Sequence, residues 1–312
     1  MNMDFKSAGV VNLVRRALEE DTGTGDVTAL AIVPAGATAK ARILAREPLV
    51  VAGLPIAEIV FAALDPGMRV EFLAADGDVV EKRRDLVRFS GSARAILTGE
   101  RTALNFLTHL SGIATLTRRF VEKLAGTKTK IRDTRKTIPG LRMLEKYAVK
   151  MGGGTNHRFG LYDAILLKEN HVAVAGGVKA ALDMAHVFAS SRAASRSLTA
   201  YEAVGERKTD SGANSLLTVQ IEVRNEAELR EALAAGASAV LLDNMTPEAA
   251  RKCVEIVRAA RPGCVVEISG GITLENARAY AEAGADYLSS GMLTHSAVAA
   301  NMSLLVDSIV EG

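Results

Sequence analysis

Six short apolar runs in the latter part of the chain end on residues that could do chemistry. TKIRDTR (129–135) ends on Asp133 and Arg135, with Lys136 next. AILLK (164–168) ends on Lys168, followed by Glu169, Asn170 and His171. LTVQIEV (217–223) carries Glu222, and AVLLDN (239–244) carries Asp243 and Asn244. VVEISGG (265–271) closes on Ser269, Gly270 and Gly271, and YLSSG (287–291) on Ser289, Ser290 and Gly291. KMGGGTNHRFG (150–160) sets three glycines ahead of His157 and Arg158 but lacks the GxxxxGK pattern of a phosphate-cradling loop. Arg135, Lys136, His157, Arg158 and Lys168 therefore form a basic wall suited to a small anion. Glu222 and Asp243 form an acidic patch able to hold a divalent metal or hydroxyl groups. SGG and SSG, each expected just before a helix, offer backbone N–H groups to a phosphate.

These residues need elements to bring them together. Amphipathic stretches follow most of the runs; EAELREALAAG stops at Gly236, and PEAARKCVEIVRAA starts on Pro247. Apolar strands alternating with helices imply a parallel sheet, whose C-terminal strand ends share one face. Six strands are too few for a closed barrel of about eight, so an open or incomplete α/β barrel is expected. Before residue 105 the pattern changes. AKARILAREPLVVAG, MRVEFLAADGDVV and DLVRFSGSA read as antiparallel strands, with LPIAEIVFAAL a helix among them. The expected organisation is an N-terminal α/β sandwich over 1–104, completed by 293–312, and a barrel over 105–292. Residues 190–215 show no clean period and read as a mobile insertion within it, with an ordered surface helix the alternative.

Composition narrows the function. Thirty-eight Lys and Arg oppose 36 Asp and Glu, a net charge of +2, and the chain has no Trp. That balance argues against a nucleic-acid binder. Cys253 and Cys264 are too few for a disulfide framework or a zinc site and read as core residues of a reduced compartment. No signal-peptide pattern and no apolar run of about 18 residues occurs, so a cytoplasmic location off the membrane is expected. His109 and His186 fall in helical patterns and read as structural, while His171 and His295 stay open.

The chain resembles the quinolinate phosphoribosyltransferase family along nearly its whole length. The resemblance is carried by LEEDTGTGDVT (18–28), GERTALNFLTHLSGIAT (99–115), LLDN (241–244), EISGGI (267–272) and above all DTRKTIPGLRMLEKYAVKMGGGTNHRFGLYDAILLKENH (133–171). Departures are the 190–215 insertion and SSGM (289–292) where the family pattern is closer to SVGA. The resemblance implies a reaction of quinolinate with phosphoribosyl pyrophosphate and Mg²⁺, giving nicotinate mononucleotide, pyrophosphate and CO₂. It also implies a homodimer with shared sites. Thr134, Arg135, Lys136, His157, Arg158 and Lys168 would then line the dicarboxylate pocket, joined in trans by Arg101 of the partner. Glu222 and Asp243 would take the ribose hydroxyls and Mg²⁺; Ser269, Gly270, Gly271, Ser290 and Gly291 would take phosphate. Lys136, Lys168, Glu222 and Asp243 would carry catalysis. Rival readings are a related type II phosphoribosyltransferase acting on another acidic ring, a sugar-phosphate aldolase using Lys168 as a Schiff base, and a metabolite sensor on the same barrel.

Overall fold

A computed structural model describes residues 3–194 and 217–310. In chain order the first elements are α1 (Ala8–Thr22), α2 (Val27–Ile32), β1 (Thr38–Ala45), β2 (Leu49–Val50), α3 (Leu54–Leu64), β3 (Arg69–Phe72), β4 (Val79–Val80), β5 (Asp85–Ser92) and α4 (Ala93–Lys123). Next come β6 (Lys130–Arg132), α5 (Arg142–Met151), β7 (Ile165–Leu167), α6 (Glu169–Ala175), α7 (Val178–Ala194), β8 (Val219–Val223) and α8 (Glu226–Ala234). The last are β9 (Ala239–Asp243), α9 (Pro247–Ala260), β10 (Val265–Ser269), α10 (Ala277–Glu282), β11 (Tyr287–Ser289), α11 (Met292–His295) and β12 (Met302–Val310). The segment 190–215 begins within α7, and its remainder lies outside the described residues. Among the described residues no single helix is long and apolar enough to cross a membrane.

The chain divides into two compact units. The first holds Asn2–Arg118, Ile138–Gly153 and Ser296–Gly312. It is built on an antiparallel sheet of order β12-β1-β5-β3, so the last strand of the chain pairs with the first. Burial along the first half of β1 alternates, as a sheet with one covered face requires. From α3, Ile56, Val60 and Phe61 are fully buried, and the Phe61 and Phe89 rings meet at 4.3 Å between centroids.

The second unit holds Arg119–Thr137 and Gly154–His295. Its sheet has the order β6-β11-β10-β9-β8-β7, and every pair is parallel. β6 and β7 are the two edges, so the six-stranded sheet is open. Ile131, Ile221, Val240, Leu242, Val266, Ile268 and Leu288 share one face and are at most 1% exposed. Strand side chains alternate between faces, so the register puts Arg132, Gln220, Glu222, Asp243, Glu267, Ser269, Tyr287 and Ser289 on the other. Barrel interiors are ordinarily filled with branched apolar side chains. Here the inner face is polar toward the strand ends, and the chemistry gathers there.

Candidate active site

The register aligns the C-terminal strand ends: Arg132 lies beside Ser289, Ser289 beside Ser269 and Ser269 beside Asp243. The groups expected at one mouth thus leave the sheet along one edge. The glycine stretch serves two local needs. A Cβ at Gly152 would lie 2.4 Å from the carbonyl oxygen of Ala114, so only glycine lets the end of α5 pack on α4. Gly153 adopts φ 91°, the left-handed region that glycine enters without strain. Beyond it, buried Asp133 at the end of β6 accepts hydrogen bonds from the His157 backbone N–H at 2.9 Å and from the Asn156 side chain. That carboxylate fixes the loop carrying His157 and Arg158.

Arg158 is held by a tight turn in which the Asp163 carboxylate accepts from the N–H groups of Phe159 (2.7 Å) and Gly160 (2.9 Å). Its Nη1 donates to the Ala164 carbonyl at 3.0 Å. Burial pushes the Arg158 guanidinium below its ordinary value; the neighbouring Arg135 adds to that push, and Asp163 opposes it. Two guanidiniums held close enough to repel each other make a site that an anion stabilises. Lys136 follows Arg135 in the chain: its backbone N–H donates to Thr134 Oγ1 at 3.0 Å, and its side chain runs beside Gly291, where a Cβ would come 2.9 Å from its Cδ.

Beneath these cations lies a network that reading only the strand ends had missed. Glu267 is fully buried, and one of its oxygens accepts from Arg132 Nη1 at 3.0 Å and from Gln220 Nε2 at 3.1 Å. Arg132 also lies 3.3 Å above the centre of the Tyr287 ring. The second Glu267 oxygen is 3.6 Å from His157 Nε2. His157 Nδ1 accepts from the Arg158 N–H at 2.7 Å, which assigns the ring proton of the neutral form to Nε2, toward Glu267. A signal was available: VQIEV and VVEIS each carry polar residues at every second position. Replacing Glu267 by Gln leaves the half-buried Arg132 without its anion. Glu267→Gln is therefore expected to cost about 3 kcal/mol, the order seen when one member of a buried pair is removed. Urea denaturation reads this, and an unmoved midpoint would show that the network does not anchor the sheet.

The basic wall and the acidic patch meet. Lys168 Nζ lies 3.1 Å from Glu222 Oε2. The Lys168 N–H donates to His171 Nδ1 at 3.0 Å, which tethers the start of α6. Beside them Arg224 bridges Glu169 and Glu228. Asp243 ends β9, with Asn244 Nδ2 2.7 Å from its Oδ2. The two serine motifs are placed differently from each other. SSG leads directly into α11, whereas residues 272–276 separate SGG from α10, so its glycines do not open a helix as the spacing had suggested. The buried Ser290 hydroxyl donates to the Ile272 carbonyl at 2.7 Å. Arg101 is exposed on α4 in the first unit, where His109 Nε2 also pairs with buried Glu145 at 2.8 Å.

The donor set suits Mg²⁺ that arrives with a phosphorylated substrate. Among the described residues no cluster of three or more His, Cys, Asp or Glu could hold a metal by itself. Mg²⁺ is commonly held by one or two carboxylates together with substrate phosphates. Glu222 and Asp243 on one face of neighbouring strands would supply that complement.

An open parallel α/β sheet with cations and carboxylates along the C-terminal strand ends defines a barrel-type enzyme site for small anionic molecules. The chain itself belongs to the quinolinate phosphoribosyltransferase family. The family model for the quinolinate phosphoribosyl transferase C-terminal domain matches residues 113–198 and 197–305, and that for the N-terminal domain matches 26–111. The chain is 41% identical to a nicotinate-nucleotide pyrophosphorylase [carboxylating] of Mycobacterium leprae, covering 91% of this chain and 92% of that protein. A probable enzyme of the same name from Bacillus subtilis is 39% identical, covering 91% and 89%. The solved structure of the nicotinate-nucleotide pyrophosphorylase from Francisella tularensis superposes with a TM-score of 0.83 at 37% identity, covering 98% of this chain and 100% of that one.

Proposed function

We propose that this protein transfers the phosphoribosyl group of 5-phosphoribosyl 1-pyrophosphate to quinolinate, with loss of CO₂, in the biosynthesis of NAD. The observation that carries this reading is the set of cations around the end of β7: Arg158 anchored on the Ala164 carbonyl, with Arg135 near enough to repel it, and Lys168 where β7 gives way to α6. Such a wall is stable when a dianion fills it, and quinolinate brings two adjacent carboxylates. Arginine grips a carboxylate through two parallel hydrogen bonds. The unprotonated ring nitrogen needs no base to attack. Positioning against the anomeric carbon does most of the work as pyrophosphate leaves. Glu222 and Asp243 face the sugar, bind its hydroxyls and stabilise the positive charge developing at the anomeric carbon. Glu222 and Asp243 would hold Mg²⁺ together with the pyrophosphate, and the ion would supply positive charge to the leaving group. As CO₂ departs, the bonding pair stays on C2 beside the quaternised nitrogen, and that carbon then takes a proton.

The protein is proposed to act in the cytoplasm as a homodimer, with Arg101 of each subunit serving the partner's pocket. A Schiff-base aldolase is less well supported, because Lys168 Nζ is engaged by the Glu222 carboxylate rather than set in an apolar pocket. The test is incubation with quinolinate, phosphoribosyl pyrophosphate and Mg²⁺. One CO₂ should be released per pyrophosphate, and no release would refute the reading. Asp243→Asn and Glu222→Gln should lower turnover at least about tenfold while quinolinate still binds in the absence of the second substrate. Loss of quinolinate binding in either variant would show that the two carboxylates serve the ring rather than the sugar.

A further inference from the structure

We infer that Asn244 is a positioning residue for the sugar side of the site. Its side chain aims the Asp243 carboxylate, and Gly270 leaves the space that side chain occupies. The inference rests on the reading that Asp243 faces the phosphorylated sugar.

β9 ends at Asp243, opposite Ser269 of β10. The Asn244 N–H still donates to the Ser269 carbonyl at 2.9 Å, so the ladder runs one bond past the strand. There the chain swings to φ 54°, a left-handed backbone shared among the described non-glycine residues only with Arg83. An L-residue is strained in that region, and Asn tolerates it better than most. The swing returns Asn244 Nδ2 to 2.7 Å from Asp243 Oδ2. With one oxygen tied by a neighbouring donor, the carboxylate is no longer free to rotate. Its other oxygen makes no hydrogen bond or ion pair within the described residues and remains for a substrate hydroxyl.

Gly270 sits against this arrangement. A Cβ there would fall 2.2 Å from Asn244 Oδ1, 2.6 Å from its Cγ and 2.7 Å from its backbone nitrogen. Gly270 is itself at φ 94°. Its neighbour Gly271 has open space where a Cβ would stand. The first glycine of SGG is thus accounted for by its left-handed backbone and by the close approach of Asn244, backbone and side chain alike, and a helix N-terminus is not needed to account for it. A turn alone would require the left-handed residue but not the donor. Both residues lie on exposed or half-exposed surface, where one such hydrogen bond adds little to stability. Its use is orientation.

Asn244→Gly separates donor from turn, since glycine keeps the backbone and removes the amide. Calorimetric binding of phosphoribosyl pyrophosphate with Mg²⁺ is measured for wild type, Asn244→Gly, Asp243→Asn and the double variant. Asn244→Gly should keep the wild-type melting temperature and quinolinate affinity and bind the sugar phosphate about tenfold more weakly. The double variant should bind no more weakly than Asp243→Asn alone, because a residue that acts through Asp243 has nothing to aim once that carboxylate is gone. Should Asn244→Gly melt early, the titrations are run below its melting temperature, where the same coupling should appear. Wild-type affinity in Asn244→Gly, or multiplied losses in the double variant, would overturn the inference. A wild type that fails to bind the sugar phosphate overturns the proposed function as well, and its own titration identifies that outcome.

Discussion

Nicotinate offered in place of quinolinate should turn over at least about a hundredfold more slowly. Nicotinate keeps the ring nitrogen and one carboxylate and lacks the other. Arg158, already burdened by burial and by Arg135, would then face the ring without a full complement of negative charge. Charges left unpaired in such a pocket cost several kcal/mol. A hundredfold ratio needs only about 2.7 kcal/mol at the transition state. Sites built to pair a polar group discriminate strongly against analogues that lack it. Competing the two acids at equal concentration and following each nucleotide product gives the ratio directly. Comparable turnover would mean that the basic wall is not read by the second carboxylate.

Arg101→Ala and Lys136→Ala should each be nearly inactive, and mixing them should restore activity. Lys136 belongs to the same unit as Arg158 and passes close to Gly291. Arg101 lies exposed on α4 in the other unit and is not one of the strand-end residues. If each subunit of a two-fold dimer lends Arg101 to its partner, a hybrid has one site with both defects and one with neither. Free exchange at equal amounts makes about half the dimers hybrid, so about a quarter of wild-type activity should return. Co-refolding the two variants and assaying CO₂ release tests this. Mixed dimers without a gain in activity would place Arg101 outside the partner's pocket.

The barrel strands were legible because strands packed under helices leave apolar runs, and each run ended where the chain met solvent. Antiparallel pairing before residue 105 was legible from alternation and from turns such as ADGD. The grouping of α5 with the first unit was not. It lies in sequence between the first two barrel strands, and its Gly152 contact with Ala114 is a packing fact that no local pattern encodes.

The same division runs through the site. Local order along the chain determined which residues stand at strand ends, because period-two geometry and parallel pairing act over a few residues. That is how Arg135, Lys168, Glu222 and Asp243 could be gathered before any coordinates. Which of them touch was decided only by tertiary structure. Arg132 finds Glu267 across 135 positions and Gln220 finds it across 47, through strand register. Lys168 meets Glu222 because β7 and β8 are neighbours in the sheet. Asn244 needs the notch at Gly270, which exists only once β9 lies beside β10. Sequence alone supplies the charges and their strand ends; the distances that turn them into pairs belong to register, and register is settled by packing the whole sheet.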